Sequence, residues 1–452
     1  MRWHGASAGY PARQSLGCPK RGCTTGSRDF RVDGQSGKAA PDAAKTFAPY
    51  LRLSAVILGI TVFQLGNGVL QTYLPIRLIV EHYPDIAVGL MATTHSIGFL
   101  LCCLIAPRII HSIGHIRAFT AFGGAMAAIS LAFAGWVDPL PWIVLRLVTG
   151  FCSGGVFTVV ESWLNDGATS RERGGILSIY MVSVKLSYAA GQLLLTTGDP
   201  HSFAFFMIAS AAYSVCLIPV SITRASSPLL VGTKRMGILE VYRTTPAAAI
   251  GCFAAGLLTS AVTNIGPAYG TEINISTSEI AILMASMQIG GLILQYPLGA
   301  LSDRIDRRWV VAGASLAAGA VSMAVAFNTG WPTWVLALLL CLWGGFALSL
   351  YALAIAHAND FAEKDQIVSL AGTLLMIWAT GSAIGPLLAT LVMHRVGPAG
   401  LFLYATAVSL ILAVFVLWRR TRRAAVPADQ RAPYAYAPTT SPVANKLRPP
   451  GS

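Results

Sequence analysis

A lysine lies in the middle of an otherwise apolar stretch of the chain. Lys185 is about 11 residues into the predicted span 174–197, roughly 17 Å from its near end at 1.5 Å per residue. A charge at that depth is costly in lipid and by default marks function. We therefore expect Lys185 to line a cavity and bind an anionic group; the alternative is a structural pair with a neighbouring helix. Its helix face carries Ser178, Met181, Lys185, Tyr188 and Gln192, spaced by 3 and 4 residues.

Two further charges lie within the predicted span 140–163. Arg146 is about six residues into this span and Glu161 is near its other end. Arg146 either binds a ligand or extends its side chain to the membrane surface, and the sequence leaves both readings open. Glu161 is expected to pair with Arg171 or Arg173, an ion pair that could gate one side of the bundle.

Side-chain amides recur in three other spans. Gln64, Asn67 and Gln71 share one face of the first span, Asn264 precedes Gly266-Pro267 in the seventh, and Gln288 and Gln295 lie seven apart in the eighth. Each amide alone could simply join two helices in the bilayer. Their distribution favours a central polar cavity. The residues predicted to bind a ligand are Lys185, Arg146, Asn67, Gln71, Tyr188, Gln192, Asn264 and Gln288.

The elements that must position these side chains are membrane-spanning helices. The 452 residues are 54% hydrophobic and 11% charged, with a mean hydropathy of +0.62, whereas soluble domains carry about a quarter charged residues. Runs long enough to span a bilayer, about 20 apolar residues, recur along the chain. We predict an all-α polytopic membrane protein with twelve transmembrane helices: 52–75, 86–107, 117–136, 140–163, 174–197, 202–222, 246–270, 279–301, 309–327, 331–356, 366–393 and 398–418.

The basic residues set the orientation. The net charge of +13 does not indicate nucleic-acid binding, because the Lys and Arg side chains concentrate beside alternate span ends, as expected for cytoplasmic segments. Both termini are therefore expected in the cytoplasm, with the protein in the bacterial inner membrane. The expected domains are a disordered tail (1–48), a six-helix bundle (49–223), a central cytoplasmic loop (224–245), a second six-helix bundle (246–420) and a second disordered tail (421–452).

The two bundles show a weak internal repeat. A shift of 192 residues carries Ile97-Gly98 onto Ile289-Gly290 and Pro75 onto Pro267, and it brings Gly154-Gly155 within two residues of Gly344-Gly345. Both halves then have the same orientation. Two parallel six-helix halves with a binding site between them are a known transporter design.

The stretch QYPLGALSDRIDRR, residues 295–308, crowds five charges into its last six residues. The positive-inside rule explains the arginines but not the pattern. Gly299, Asp303, Arg304, Arg307 and Arg308 resemble the signature loop of the major facilitator superfamily. The resemblance implies that their ion pairs hold the outward-facing state.

Other motifs extend this resemblance over about residues 50–420. Arg146-Leu-Val-Thr-Gly150 is similar to the superfamily's R-x-x-x-G motif, and the region from Glu161-Ser-Trp to Tyr180-Met181 resembles the YcaD-type bacterial branch. One departure concerns the equivalent loop of the first half, where His111 stands in place of the aspartate. A symmetric latch in both halves is therefore not expected.

The resemblance implies a secondary active transporter that moves a small molecule by alternating access. The buried cations favour an organic anion as substrate, and a proton is a candidate coupling ion, with His95 and Glu161 as the available titratable groups. The alternative is a membrane-embedded sensor on a transporter-like scaffold. No nucleotide-binding G-x-x-x-x-G-K-[ST] motif occurs, so neither ATP nor another cofactor is expected. We expect no metal, no enzymatic activity, no nucleic-acid partner, and a monomer in the lipid bilayer.

Overall fold

The computed structural model describes residues 43–167, 173–222, 236–328, 330–362, 366–422, 431, 434 and 439–441. All regular structure in these residues is helical. Besides a 3-10 helix at Leu194–Thr197, the helices are α1 (Ala43–Val80), α2 (Asp85–Ile113), α3 (His115–Gly135), α4 (Pro139–Gly167), α5 (Arg173–Leu193), α6 (Ala204–Val215), α7 (Leu217–Ile222), α8 (Ile238–Thr244), α9 (Pro246–Glu272), α10 (Thr277–Arg304), α11 (Arg307–Ala326), α12 (Thr333–Ala347), α13 (Leu350–Asn359), α14 (Ile367–Val396) and α15 (Gly400–Arg422).

Each predicted span coincides with one long helix or with two consecutive ones. Helices α6 and α7 together form the sixth span, and α12 and α13 form the tenth. Eleven helical segments of the described chain are long and apolar enough to cross a membrane. The twelfth long helix is α5, whose hydropathy is lowered by the polar face that carries Lys185. The all-α prediction is confirmed.

Local sequence signals explain where several helices begin. At α10, the hydroxyl of Ser276 accepts a hydrogen bond from the backbone N–H of Glu279, whose carboxylate accepts one in return from the backbone of Ser276. This reciprocal capping satisfies two N–H groups that a helix start leaves unpaired. At α11, the carboxylate of Asp306 accepts from the backbone N–H of Arg308. The stretch 295–308 thus comprises the end of α10, a tight turn at Ile305 and Asp306, and the start of α11.

Glycines allow α2 and α4 to pack backbone against backbone. A Cβ atom on Gly98 would overlap the carbonyl oxygen of Leu147, and one on Gly150 would overlap that of His95. Small residues permit such close helix approach in membranes. A larger side chain at either position would force the helices apart.

The second half repeats this contact between α10 and α12. A Cβ atom on Gly290 would overlap the carbonyl oxygen of Cys341, and one on Gly344 that of Met287. The counterpart of Gly344 is therefore Gly150, a shift of 194 residues, and not the Gly154-Gly155 pair that the sequence comparison places nearby. The repeat is weak in the sequence, but the structure repeats the same glycine–backbone contacts in both halves.

A second glycine contact is also repeated. Gly191 of α5 lies against the carbonyl oxygen of Leu65 in α1, and Gly385 of α14 lies against that of Leu257 in α9. Each half therefore closes its first and fifth spans in the same way.

The two halves meet through α2 with α14 and through α5 with α10. In the first half of α2, the Thr93 hydroxyl donates to the carbonyl oxygen of Ala383 at 2.8 Å, and the Ser96 and Ser382 hydroxyls are 3.1 Å apart. We call the end of the bundle at the α10–α11 turn the loop end, and the end at the α1–α2 turn the far end. These contacts hold the halves together towards the far end.

The chain outside the two bundles differs in detail from the sequence prediction. Helix α1 begins at Ala43, within the predicted N-terminal tail, and α8 lies in the predicted central loop. The backbone of Met236, just before α8, bonds to Ser369 and Thr373 of α14. Five residues of the predicted disordered C-terminal tail contact the helices: Arg431, Tyr434, Thr439, Thr440 and Ser441. The domain boundaries stay a prediction.

Candidate functional site

A cavity of about 270 Å³ lies between the two halves. Polar side chains from the first half reach it from α1, α2 and α5, and those of the second half come chiefly from α9, α10 and α14. The polar lining of the first half comprises Gln64, Gln71, His95, Ser96, Lys185 and Tyr188; that of the second half includes Thr259, Ser260, Thr263, Asn264, Gln288, Gln295 and Ser382. A cavity of this size and polarity suits a small molecule.

Five of the eight residues predicted to bind a ligand line this cavity. They come from both halves: Lys185, Gln71, Tyr188, Asn264 and Gln288. Their place on the wall matches the expectation from helix periodicity, and their role in binding stays a prediction. The remaining three, Arg146, Asn67 and Gln192, lie behind the wall.

Asn67 and Gln192 hold helices together instead of facing the cavity. The Asn67 amide donates to Gln64 at 2.6 Å and accepts from the hydroxyl of Tyr213 in α6 at 2.8 Å. The Gln192 amide donates to Thr72 of α1 at 3.1 Å. Residues spaced by 3 and 4 drift by about 20° per heptad around a straight helix. The polar face of α5 has therefore turned towards α1 by Gln192.

Arg146 is buried and directed into the bundle, which excludes the reading in which it extends to the membrane surface. Only 4% of the residue is exposed, and its guanidinium donates to the Gln71 side-chain oxygen at 2.6 Å. Gln71 itself lines the cavity. The side-chain amide of Gln71 thus lies between the positive charge of Arg146 and the cavity.

A chain of hydrogen bonds links this amide to His95 and fixes the histidine tautomer. Because the Gln71 oxygen accepts from Arg146, its NH₂ group must donate to His95 Nε2, which lies 3.1 Å away. The ring proton then sits on Nδ1 and is donated to the Thr149 hydroxyl at 3.2 Å. That hydroxyl donates in turn to the carbonyl oxygen of Arg146. His95 is therefore neutral in this arrangement.

Lys185 is the only Lys, Arg, Asp or Glu among the described residues that line the cavity. None of the ion pairs between described residues includes it. The opposite wall offers neutral groups: the Asn264 amide donates to the backbone of Ser260, and the Ser260 hydroxyl donates to the carbonyl oxygen of Ser382. The cavity thus has one positively charged wall and one neutral polar wall.

Three aromatic side chains that the binding-residue prediction missed complete the wall: Phe99, Tyr351 and Trp378. The Trp378 ring lies edge-on to Phe99 across the two halves and to Tyr351, with centroids 6.2 and 6.0 Å apart. Trp378 and Ser382 are four residues apart on α14, so periodicity could have placed them on one face. The signal was weak because apolar residues surround them in sequence.

Glu161 lies near the loop end of α4 and is fully buried. Its carboxylate accepts a hydrogen bond from the Tyr180 hydroxyl at 2.9 Å and further bonds from the hydroxyls of Thr440 and Ser441. Its predicted partner Arg171 lies outside the described residues, as does the side chain of Arg173. That ion pair stays a prediction.

The signature loop forms its ion pairs inside the second half. Arg307 is almost fully buried and bonds to Asp360 at the end of α13, at 2.8 Å, and to Asp303, at 3.1 Å. The Asp303 carboxylate also accepts from the backbone N–H of Tyr434. Arg304 is exposed. The predicted role of these residues in holding the outward-facing state stays a prediction.

Asp306 of this turn pairs with Arg308 at 2.8 Å and with Arg420 of α15 at 3.9 Å. Partial burial raises the pKa of the Asp306 carboxyl, but hydrogen bonds from Arg308 and its positive charge lower it, and the net pKa lies below its ordinary value. Asp306 is thus ionised and anchors the start of α11.

The described residues contain no cluster of three or more His, Cys, Asp or Glu side chains that could hold a metal ion. The six cysteines of the described residues form no disulfide with one another, and five of them are buried. The chemistry that the cavity offers is reversible binding by hydrogen bonds and one positive charge.

In the described residues, helices at all twelve predicted spans form two repeated halves around a polar cavity, which is the architecture of a membrane transporter. The Major Facilitator Superfamily model matches residues 56–270 and 247–449, and the chain belongs to this superfamily. The predicted MFS fold is thereby confirmed. The chain is an integral membrane protein that acts in transmembrane transport.

Curated relatives confirm the predicted resemblance to the YcaD-type branch. The chain is 26% identical over 374 residues to the uncharacterized MFS-type transporter YcaD of Escherichia fergusonii, covering 82% of this chain and 96% of the relative. It is 26% identical over 384 residues to the MFS-type transporter YE1530 of Yersinia enterocolitica, covering 84% and 97%. These relatives are bacterial transporters and not enzymes.

Solved structures show the same fold at low identity. The nucleoside transporter NupG superposes with a TM-score of 0.69 at 15% identity, covering 81% of this chain and 98% of that one. The human organic anion transporter MFSD10 superposes with a TM-score of 0.59 at 16% identity, covering 82% and 99%.

Proposed function

We propose that the protein is a secondary active transporter that binds an organic anion at Lys185. The observation that carries this proposal is the single charge on the described wall of the cavity, with no carboxylate paired to it. A lysine at a helix centre costs about 3 kcal/mol in lipid. A bound anion would offset that cost, whereas a cation would increase it.

The surroundings of Lys185 support the same sign of charge. Arg146 places a second positive charge behind Gln71, and the opposite wall contributes only neutral donors and acceptors such as Asn264 and Gln288. Neutral amides can bind the hydroxyl or carbonyl groups of a small organic molecule without repelling its charge. We infer a substrate with one anionic group and several hydrogen-bonding groups.

The hydrogen-bond chain through His95 supports a proton as the coupling ion. A proton that arrives at His95 Nε2 faces the NH₂ group of Gln71, so that hydrogen bond must break. Gln71 cannot simply rotate its amide, because its NH₂ would then face the guanidinium of Arg146. Proton uptake therefore breaks the Gln71–His95 bond, while the Gln71 oxygen can keep its bond to Arg146. The protonation state of His95 is thereby coupled to Gln71, a side chain of the cavity wall.

Ligand binding to the purified chain in nanodiscs tests the substrate class. The thermal unfolding midpoint is measured with organic anions (succinate, benzoate and glycerol 3-phosphate), with the cation choline and with neutral glucose. At least one anion should stabilise the protein. Lys185→Gln should weaken that binding about 30-fold or more, since removing one partner of a buried charge pair costs at least about 2 kcal/mol. Stabilisation by choline or glucose alone would refute the proposal.

Two variants serve as controls. Lys185→Arg keeps the charge and should retain measurable anion binding. Arg395→Gln removes an exposed charge at the end of α14 and should bind like the unmodified chain. If Arg395→Gln weakens binding as much as Lys185→Gln, the effect is one of net charge and not of the cavity.

Flux in proteoliposomes distinguishes a transporter from the alternative, a membrane-embedded sensor. Uptake of the stabilising anion should accelerate under an imposed pH gradient, and a protonophore should abolish that acceleration. His95→Gln should remove the pH dependence while leaving anion binding measurable. Binding without any flux would favour the sensor.

A further inference from the structure

The C-terminal tail reaches the loop end of the bundle at five described residues. We call Arg431, Tyr434, Thr439, Thr440 and Ser441 the tail anchors. Arg431 donates to the carbonyl oxygen of Ile305 at 2.8 Å, and Thr439 and Thr440 are part of the cavity wall. Ser441 is completely buried. The binding proposed at Lys185 assigns no role to these contacts.

Two of the tail anchors donate hydrogen bonds to the buried carboxylate of Glu161. Among the described residues, Glu161 accepts hydrogen bonds from three hydroxyls, of which Thr440 and Ser441 of the tail supply two. A buried carboxylate needs such donors, because burying an ionised group without them is costly. If the tail left, only the Tyr180 hydroxyl would remain among these donors.

The second attachment lies on the signature loop. The backbone N–H of Tyr434 donates to both oxygens of Asp303, at 2.8 and 3.0 Å. The Tyr434 ring lies against Gly299, where a Cβ atom would overlap the ring. Gly299 therefore provides a flat seat that any other side chain would fill.

These two attachments lie on different halves of the bundle. Glu161 and Tyr180 belong to α4 and α5, whereas Gly299, Asp303 and Ile305 belong to α10 and the turn that follows it. Towards the far end the halves already touch, through α2 and α14. The tail anchors thus join the halves at the loop end.

We propose that the tail anchors form an intramolecular plug that docks between Glu161 and the Gly299–Asp303 surface and closes the cavity at the loop end. With the plug docked, Thr439 and Thr440 form part of the cavity wall, and Thr440 bonds to Glu161 near the loop end. Alternating access requires the halves to separate at one end, so the docked plug holds the protein in a closed, inactive state. This regulation does not depend on the identity of the substrate.

Engineered disulfides test the docking directly. A Gly299→Cys/Tyr434→Cys double variant in the full-length chain places two thiols where the glycine seat meets the ring, within the separation that a disulfide needs. Mild oxidation in native membranes should produce an intramolecular crosslink that is lost on reduction. The control is Gly313→Cys/Tyr434→Cys, since nothing lies within 4 Å of a Cβ at Gly313. No crosslink at Gly299, or equal crosslinking at both positions, would overturn the proposal.

A second measurement keeps the test independent of that variant. Thiol labelling of a Thr263→Cys reporter on the cavity wall is compared with and without Thr440→Val/Ser441→Ala. Each hydrogen bond to a charged group is worth a factor of about ten or more in an equilibrium constant. The labelling rate should therefore rise by about tenfold or more without the two hydroxyls. An unchanged rate would show that the tail does not close the cavity.

Discussion

The buried ion pair between Arg307 and Asp360 gives the sharpest stability prediction. The two side chains are 1% and 3% exposed and their charged atoms are 2.8 Å apart. Removing one partner leaves a buried charge uncompensated, which costs about 3–5 kcal/mol. Arg307 also contacts Asp303 at 3.1 Å, but the Asp303 side chain is 38% exposed, and such pairs contribute at most about 1 kcal/mol. We expect Asp360→Asn to destabilise the protein by about 3 kcal/mol and Asp303→Asn by less than about 1.

The free energy of unfolding can be measured for the purified full-length chain by SDS titration in mixed micelles. The double variant Arg307→Met/Asp360→Leu removes both charges. Its loss of unfolding free energy should therefore be clearly smaller than the sum of the losses of the single variants Arg307→Met and Asp360→Leu. Equal destabilisation by Asp360→Asn and Asp303→Asn would refute the role of burial. Strict additivity in the double variant would show that the two residues do not interact.

Two further predictions concern helix packing and the α10–α11 turn. Gly98→Leu should lower the unfolding midpoint of the detergent-solubilised protein strongly, because its side chain would meet the backbone at Leu147, whereas Gly124→Leu, with open space around its Cβ, should have little effect. Asp306 has a lowered pKa, so its stabilisation is present above its ordinary pKa and is lost as the pH falls through the lowered folded-state value. Asp306→Asn should therefore reduce the acid dependence of stability in a pH series of thermal melts, and an unchanged acid limb would contradict the pairing with Arg308.

Sequence patterns predicted the helices better than the partners of their side chains. The spans follow from runs of apolar residues whose length is set by the bilayer, and the structure places a helix in each of them. The glycine register was harder, because Gly150 and the Gly154-Gly155 pair look alike in sequence. Only the backbone contact at His95 shows that Gly150 corresponds to Gly344.

The cavity was partly predictable for the same reason. Periodicity places Lys185 and Tyr188 on one face of α5, and both line the cavity. Periodicity could not show that the Asn67 side chain accepts a hydrogen bond from Tyr213 of α6. Partners distant in sequence decide which polar side chains are left to bind a ligand. The contact of Ser441 with Glu161 joins residues 280 apart, and no local pattern in a Pro-rich tail predicts it.

The internal repeat shows that the ionisable groups near the cavity differ between the two halves. The register given by the glycine contacts carries His95 onto Met287, Arg146 onto Leu340 and Glu161 onto Ile355; it also carries Lys185 onto Ala379. Each of these four ionisable groups of the first half therefore has an apolar counterpart in the second. The glycine contacts that hold helices together are kept in both halves, whereas these four groups occur only in the first. If the substrate is the organic anion that we propose, the first half would hold it in a rocking mechanism. The second half, with its neutral amides and hydroxyls, would close over it and release it without having to break an ion pair.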